Sequence, residues 1–286
     1  MIGVRAARSV AKALGLHALA WKLRKLDFGI GRQDLVLDAG GGAAPNPYAN
    51  VVVDYDPTGR ESQMGNVRAN GKSLVWADLQ RLPFRDRVFD YALCFHVVEH
   101  VVDPAAALGE LQRVARAGYI ETPNELFDII VPYLDHRNRV SYDGETLRIF
   151  RKSRWDVERF EPRFGKRRVG QLYSRLVRNP EDLHVQLYWR DSIKWSVGEE
   201  LIDDGLTGGD GEEGRPEPAS VPRIHEIASR LLRRRRLKDD ELLQLMRCID
   251  CRAEELALEV DGARCGACGR RYPRVHGFLD FRPVSS

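Results

Sequence analysis

The sequence predicts an α/β protein in which a doubly wound parallel sheet carries an antiparallel edge and is followed by a small cysteine-containing module. Three observations support this prediction. Short apolar runs alternate with helical or loop segments over residues 35–122, as in parallel sheets that are covered on both faces. Apolar and polar residues then alternate over about residues 132–198, which is typical of antiparallel strands. Two C-x2-C pairs lie near the C-terminus of the 286-residue chain.

The parallel part of the sheet is predicted to contain five strands. The candidates are LVLD (35–38), NVVVD (50–54), SLVWAD (73–78), FDYALCF (89–95) and GYIET (118–122). Between the last two, Asp103 and Pro104 predict the N-terminus of a helix, and Gly118 is expected to end that helix.

The antiparallel part is predicted from turn chemistry and alternation. The Asp143-Gly144 dipeptide separates two alternating segments of RVSYDGETLRIF, which is a strong hairpin signal. HVQLYWRDSIKWSV repeats the alternation, and a basic stretch of helical character, KRRVGQLYSRLVRN, lies between the two. We therefore expect an antiparallel edge strand and an insertion at about residues 125–183.

We expect four segments along the chain. Residues 1–29 form a basic amphipathic helical segment and residues 30–198 form the α/β domain. Residues 199–222 are acidic and rich in Gly and Pro, which is typical of a flexible linker. Residues 223–286 contain a basic helix and the cysteine module.

The N-terminal segment lacks the uninterrupted apolar core and the cleavage site of a signal peptide. It is expected either to pack over a nearby site or to lie on a membrane surface. No run of residues in the sequence approaches the 18 or more apolar residues of a membrane span, and we predict a cytoplasmic protein. The net charge of +3 indicates little about partners.

The cysteines predict a metal site. Cys94 lies alone in an apolar strand, where a buried thiol is expected. The other four are Cys248, Cys251, Cys265 and Cys268. Without a secretory signal, this spacing indicates metal ligation rather than disulfides. Four thiolates form a closed tetrahedral site that suits structural zinc; the alternative is free thiols or the remnant of a lost site.

A glycine turn follows the first predicted strand. Asp38 is followed by Gly40, Gly41 and Gly42, where a ligand can approach the backbone. The dinucleotide fingerprint requires a third glycine, which Pro45 replaces. The eight residues 43–50 are too few for a crossover helix, so the usual anion-binding helix N-terminus is not expected.

Carboxylates at strand ends remain as the candidate ligand-binding groups. They are Asp38, Asp54 and Asp78. A site with carboxylates and little anion-binding machinery suits a cationic nucleoside better than a pyrophosphate. The alternatives are that Asp38 only holds the turn through backbone amides, and that Asp54 and Asp78 are solvated strand ends.

The order of these motifs resembles that of class I S-adenosylmethionine-dependent methyltransferases of the methyltransferase-11 type, over about residues 30–125. The resemblance rests on VLDAGGG, VVVDYDP, WADLQRLPF, FDYALCFHVVEHVVDP and GYIETPN. It implies a Rossmann-like fold and S-adenosylmethionine as cofactor. The implied cofactor-binding residues are Asp38, Gly40 and Gly42 for the methionine portion, Asp54 with Tyr55 for the ribose, Asp78 with Leu79 for the adenine, and Phe95 with His96 as a cover. The shortened segment after Gly42 departs from the family pattern.

Methyl transfer needs positioning and exclusion of water, and it needs a general base only for a poor nucleophile. His96 and His100 are the candidate bases; Glu99 and His100 can instead be structural. His136 and His184 are expected to be ordinary histidines. The N-terminal helix and the insertion are expected to bind the acceptor, with Trp155, Tyr173, Tyr188 and Trp189 as aromatic candidates or as core residues. A small molecule, sugar or lipid acceptor is favoured over RNA or protein.

The segment CGRRYPRVHGFLDF resembles the zinc-ribbon protein that activates tRNA, rRNA and release-factor methyltransferases, over about residues 243–283. This resemblance implies a zinc ribbon. Together with the first resemblance, it leaves three hypotheses for the function of the chain. The first is a methyltransferase with a tethered structural ribbon. The second is a non-catalytic protein that binds nucleic acid or protein through the ribbon and the RRRR run (233–236), which is otherwise a solvated helix face. The third is a ribbon that recruits a partner methyltransferase or acts with RNA or a translation-related protein.

Overall fold

The computed structural model describes residues 2–42, 44–56, 69, 71–130, 136–151, 179–198, 227–228, 232 and 234–283. Several predictions concern residues outside these ranges. They are the linker at 199–222, nearly all of the predicted helix KRRVGQLYSRLVRN, most of the basic helix before residue 234, and the candidate acceptor residues Trp155 and Tyr173.

The fold-class prediction is confirmed, and the five predicted parallel strands are all present. They are β1 (Val36–Ala39), β2 (Val51–Asp54), β3 (Ser73–Trp76), β4 (Tyr91–Phe95) and β5 (Ala117–Pro123). Their order is β3-β2-β1-β4-β5, with every neighbouring pair parallel. The order reverses between β1 and β4, and this switch point is where open α/β sheets bind ligands, at the carboxyl ends of the strands.

Five helices have both ends among the described residues. They are α1 (Ile2–Ala13), α2 (His17–Leu23), α3 (Pro104–Val114), α4 (Glu125–Ile130) and α5 (Asp239–Leu243), with short 3-10 turns at Arg24–Leu26, Leu79–Arg81 and Pro180–Leu183. The predicted start of α3 is confirmed, because the Asp103 side chain accepts a hydrogen bond from the Ala106 amide at 2.9 Å. None of these helices has the length and apolarity that crossing a bilayer requires.

The predicted role of Gly118 is wrong. Helix α3 ends at Val114, and Gly118 lies inside the buried strand β5. An added Cβ at Gly118 would lie 2.5 Å from the carbonyl oxygen of Ala92 and 2.6 Å from the Trp189 ring. The glycine is therefore required by close packing between neighbouring strands rather than by a helix cap.

Replacement of Gly118 by Ala is expected to destabilise the protein by about 1–3 kcal/mol, because the methyl group overpacks the sheet. Gly109→Ala in α3 is the matched control, since an added Cβ there meets nothing within 4 Å. That substitution is expected to stabilise by roughly 0.5–1 kcal/mol. Urea unfolding of both variants checks the pair, and equal stabilities would contradict the packing described for Gly118.

The predicted hairpin and antiparallel edge are both present. The hairpin comprises β6 (Asn138–Tyr142) and β7 (Leu147–Arg151), with Gly144 at φ 97° in the turn. The edge strand β8 (His184–Arg190) pairs antiparallel with β5. The following strand β9 (Trp195–Val197) joins β7 in parallel, so the hairpin and β9 form a separate three-stranded sheet.

The cysteine module extends the main sheet. Its strands are β10 (Leu256–Glu259), β11 (Gly262–Cys265), β12 (Arg271–Val275) and β13 (Phe278–Asp280). Each of these strands pairs antiparallel with the next one along the chain, and β13 also pairs in parallel with β3. The Trp76 carbonyl accepts from the Phe281 amide at 2.7 Å, and the Trp76 indole donates to the Val275 carbonyl at 2.8 Å. The result is one ten-stranded sheet.

Candidate functional site

The glycine turn lies at the carboxyl end of β1. Gly40 and Gly42 have φ angles of 79° and 54°, a region that favours glycine. A Cβ added to Gly40 would lie 2.2 Å from a methyl carbon of Val97, so the turn packs tightly against the loop after β4. As predicted, residues 44–50 contain no helix. The turn therefore exposes backbone rather than a helix N-terminus at the switch point.

Asp38 lies buried behind this turn, and its Oδ2 accepts a hydrogen bond from the Asn46 amide at 2.6 Å. Burial raises the pKa of the Asp38 carboxyl to about 6, although the Asn46 hydrogen bond and the charges of Lys25 and Lys72 act in the opposite direction. Asp38 thus does hold the turn through a backbone amide. That contact is compatible with a second role toward a cationic ligand.

Asp54 at the end of β2 connects the loop after β1 with the loop after β2. Its Oδ2 accepts from the Gly42 amide at 3.0 Å, and its Oδ1 accepts from the Asp56 amide at 3.2 Å. Burial raises the pKa of the Asp54 carboxyl, against the effect of these backbone hydrogen bonds. The carboxylate is held at the crevice rather than solvated at a free strand end.

The residues predicted to flank an adenine lie one strand further along. Asp78 caps the turn after β3 by accepting from the Gln80 amide at 2.8 Å, and Leu79 is buried. Tyr55 is 48% exposed, with the Arg282 guanidinium 5.9 Å from its ring centroid. The loops after β1, β2 and β3 thus carry the predicted cofactor residues side by side.

A buried ion pair that the sequence did not reveal lies on the other side of the switch point. Glu121 in β5 is fully buried and receives two hydrogen bonds from the Arg24 guanidinium, at 2.6 and 2.5 Å. The Tyr119 hydroxyl donates to the same carboxylate at 2.7 Å. Burial opposes the charge on Glu121, yet hydrogen bonds from His96 and Arg24 hold its pKa well below the usual range.

This ion pair fixes the N-terminal segment over the crevice. The Arg24 guanidinium also lies 3.3 Å from the Trp21 ring centroid, and the Lys25 ammonium lies 4.9 Å from that of Phe95. Burial, followed by the charge of Arg24, lowers the pKa of Lys25. Arg24 and Lys25 lie in the basic run KLRK (22–25), but their partners Glu121 and Phe95 are far away along the chain. Packing over a nearby site is what these contacts favour for this segment.

His96 lies between two carboxylates. Its backbone is left-handed at φ 54°, with Nε2 3.3 Å from Glu121 and Nδ1 3.5 Å from Glu99. Burial disfavours the charged ring, but the hydrogen bond to Glu121 and the adjacent Glu99 carboxylate outweigh it and raise the pKa of His96 to about 9. A protonated imidazole has no lone pair with which to accept a proton. The geometry therefore favours a positioning role over a general base.

A cavity of about 570 Å³ opens beside the ends of β5 and β8. It is lined by Asn124, Glu125, Leu126, Ser141, Tyr142, Glu181, His184, Val185 and Gln186. Arg8 of α1 reaches its rim, where it donates to Glu181 at 2.7 Å and to Gln186 at 3.2 Å. The described aromatic candidates, Tyr188 and Trp189, do not line this cavity, and Trp189 is buried against Gly118.

His184 connects the cavity to the crevice. Its ring centroid lies 5.4 Å from that of His96 and 4.6 Å from that of Trp21. Burial lowers the pKa of His184 to about 4, although a hydrogen bond to the Pro180 carbonyl acts in the opposite direction. Since Nδ1 lies 2.8 Å from that carbonyl, the lone pair of the neutral ring resides on Nε2. His184 was expected to be an ordinary histidine, because no local pattern indicates its position between the cavity and the crevice.

The four predicted cysteine ligands converge. The sulfur atoms of Cys248 and Cys268 lie 3.6 Å apart, as do those of Cys251 and Cys265, and all four lie within 4.8 Å of one another. A tetrahedral zinc site with bonds of about 2.3 Å has sulfur atoms roughly 3.8 Å apart. The donor set and its spacing therefore fit zinc.

The part of the chain that carries the glycine turn has relatives among known proteins. Residues 26–120 match the model of a family described as methyltransferase domain. The matched stretch contains the glycine turn and the strand-end carboxylates Asp38, Asp54 and Asp78. A demethylmenaquinone methyltransferase from Paenarthrobacter aurescens is 32% identical to the chain over 96 residues, which cover 32% of this chain and 38% of that protein.

The chain is also similar to several solved structures. The YcgJ protein from Bacillus subtilis is 22% identical, with a TM-score of 0.31, and the match covers 41% of this chain and 58% of that one. A chain of the complex that contains the Haloferax volcanii Trm112 methyltransferase activator is 13% identical, with a TM-score of 0.39, covering 65% of this chain and 93% of that one. The residues that match the family model make up about a third of the chain, and the chain spans well under two thirds of the demethylmenaquinone methyltransferase.

Proposed function

We propose that the protein is an S-adenosylmethionine-dependent methyltransferase with a structural zinc ribbon in the same chain. The observation that carries this proposal is the position of two strand-end carboxylates, the buried Asp38 and the half-buried Asp54, at a left-handed glycine turn at the switch point. This arrangement lies inside the stretch that matches a methyltransferase domain. The crevice combines a cation-attracting carboxylate with a second one suited to a ribose diol.

The residues of the crevice suit the separate parts of such a cofactor. Asp38 would attract the amino group of the methionine portion, and the nearby Lys25 would attract its carboxylate. Asp54 would accept hydrogen bonds from the ribose, while Asp78 and Leu79 would border the adenine. When bound, the cofactor supplies an electrophilic methyl group on a sulfonium. The chain's own residues orient it and exclude water.

We propose that the acceptor is a small molecule, or the small head of a lipid or sugar, bound in the cavity beside His184. A volume of about 570 Å³ suits a ligand of this size. The neutral ring of His184 can accept a hydrogen bond from the acceptor, whereas the charged His96 cannot. Because a ring with a pKa of about 4 is a weak base, an acceptor that is itself a good nucleophile fits the site best.

The zinc ribbon is proposed to stabilise its own catalytic domain. Pairing of β13 with β3 covers the edge of the sheet, so that edge has no room for a second methyltransferase. Two of the described arginines of the RRRR run also contact the chain itself. Arg234 donates to the carbonyls of Gly31, Arg32 and Asp34, and Arg235 pairs with Glu241. These contacts favour the enzyme over a nucleic-acid-binding module.

Transfer of a labelled methyl group from S-adenosylmethionine into fractionated cell extract tests this function. We expect label in a small-molecule or lipid fraction that resists nuclease and protease, and much less label with the Asp54→Asn variant at low cofactor concentration. Label that is released by nuclease or protease would contradict the acceptor class. Normal cofactor binding without any transfer, in extracts from several growth conditions, would favour a non-catalytic protein.

A further inference from the structure

A second cluster of potential metal ligands lies behind the crevice, apart from the cysteines. It contains Glu99, His100 and His136, whose ligand atoms all lie within 4.8 Å of one another. The fold brings them together because the segment before β6 docks on the turn after β4. The backbone amides of Arg137 and Asn138 donate to the Glu99 carbonyl, at 2.7 and 2.9 Å.

The same docking is held by a buried amide side chain. The Asn138 Nδ2 group donates to the carbonyls of Val98 and Val101, each at 2.9 Å. Asn138 is only 1% exposed. The position of His136 relative to the Glu99-His100 turn is therefore set by several buried hydrogen bonds.

His136 is oriented as metal-binding histidines usually are. Its Nδ1 lies 2.7 Å from the Asp128 carboxylate, and both side chains are buried. A carboxylate on one ring nitrogen fixes the tautomer and directs the lone pair to the other nitrogen, which is the usual arrangement around a metal-bound histidine. This contact is independent of the proximity of the three ligands.

Glu99 supplies a third, independent observation. The residue is fully buried, and its Oε2 accepts from the Thr122 hydroxyl at 2.8 Å. Its Oε1 faces the ring of His96 at 3.5 Å and receives no closer hydrogen bond from the described residues. This oxygen therefore keeps lone pairs that a cation could coordinate.

We propose that Glu99, His100 and His136 bind a divalent first-row transition ion, with Asp128 holding the His136 ring. Two imidazoles and a carboxylate suit Zn²⁺, Fe²⁺, Co²⁺ or Ni²⁺ better than Mg²⁺ or Ca²⁺. Ligands about 2.1 Å from a metal lie roughly 3–3.5 Å apart, so binding requires side-chain movements of about an ångström. Three protein ligands leave coordination positions open.

The site is distinct from the proposed cofactor crevice and from the zinc ribbon. His100 is half-buried, so an ion can reach the cluster from solvent. Glu99 is the neighbour of His96, which in turn contacts His184 at the cavity. An ion bound here would thus adjoin the side chains that separate the crevice from the acceptor cavity.

Cobalt titration of the full-length, zinc-loaded protein tests the proposal. We expect one equivalent of Co²⁺ to bind with weak visible d–d bands and without the intense near-ultraviolet bands of thiolate ligation, which would report exchange into the cysteine site. His100→Gln and His136→Gln are each expected to weaken binding at least about 100-fold, and Asp128→Asn about 10- to 100-fold. His17→Gln in α2 removes an imidazole elsewhere and should change nothing.

Circular dichroism of each variant identifies any that fails to fold. Because His100 is only half-buried, we expect His100→Gln to disturb folding least. Absence of Co²⁺ binding outside the cysteine site would overturn the proposal. Binding that survives in both folded His100→Gln and His136→Gln proteins would also overturn it. The readout needs neither S-adenosylmethionine nor a methyl acceptor, so its outcome is separate from that of the proposed function.

Discussion

Removal of the zinc ion that we propose for the cysteine cluster is expected to destabilise the protein by about 5 kcal/mol or more and to lower its melting temperature by roughly 10–20 °C. A module of this size has too small a core to fold without its metal. Its loss also uncovers the edge of β3, because β13 no longer pairs there. A strong chelator or the Cys251→Ser variant produces this state, and thermal unfolding with zinc analysis measures it.

The fifth cysteine provides the matched control. Cys94 is buried in β4, far from the cluster in the sheet order. Cys94→Ala removes a thiol and some packing, but the zinc content should stay at the wild-type level and the loss of stability should be small by comparison. A zinc-free wild-type protein with an unchanged melting temperature after chelation would refute the structural role of the cluster.

Replacement of Asp54 by Asn is expected to weaken binding of S-adenosylmethionine about 100-fold. A hydrogen bond to a charged group contributes about 1.5–3 kcal/mol, and a ribose diol offers two donors. The variant also weakens the contacts of Asp54 with the Gly42 and Asp56 amides. Isothermal titration calorimetry measures the affinity, and circular dichroism verifies the fold.

Asp90→Asn tests whether the effect is specific to the crevice. The Asp90 carboxylate also accepts from a backbone amide, that of Leu35 at 2.8 Å. It precedes β4, at the opposite end of the sheet from the crevice. The affinity of this variant should equal that of the wild type. An equal loss in both variants, or no loss in Asp54→Asn, would argue against Asp54 as a cofactor ligand.

Local sequence patterns predicted the elements of the fold well because each pattern reflects a local cause. Apolar runs produced the five parallel strands, Asp103 with Pro104 produced the start of α3, and Asp143-Gly144 produced the hairpin turn. The C-x2-C pairs likewise predicted a four-cysteine cluster. Gly118 was misinterpreted because its cause is a contact with Ala92 and Trp189 on neighbouring strands, which no local pattern encodes.

The candidate site was predictable only where its residues lie at strand ends. Asp38 and Asp54 follow apolar runs, so their positions could be inferred. The pairing of Arg24 with Glu121 joins residues 97 apart in the sequence, and the charge of His96 depends on that same carboxylate. The docking of the ribbon on β3 could not be predicted either, because the sequence of an edge strand does not indicate which other strand pairs with it.

A calorimetric titration of the protein with S-adenosylmethionine shows whether the crevice binds this cofactor. We expect saturable binding at one site at pH 7.5, where Asp38 is ionised. We also expect roughly tenfold weaker binding at pH 5, because a carboxyl with a pKa of about 6 is then about nine-tenths protonated and no longer attracts the cationic amino group. Absence of binding at millimolar cofactor at pH 7.5, with the protein folded and zinc-loaded, would contradict the proposed cofactor site.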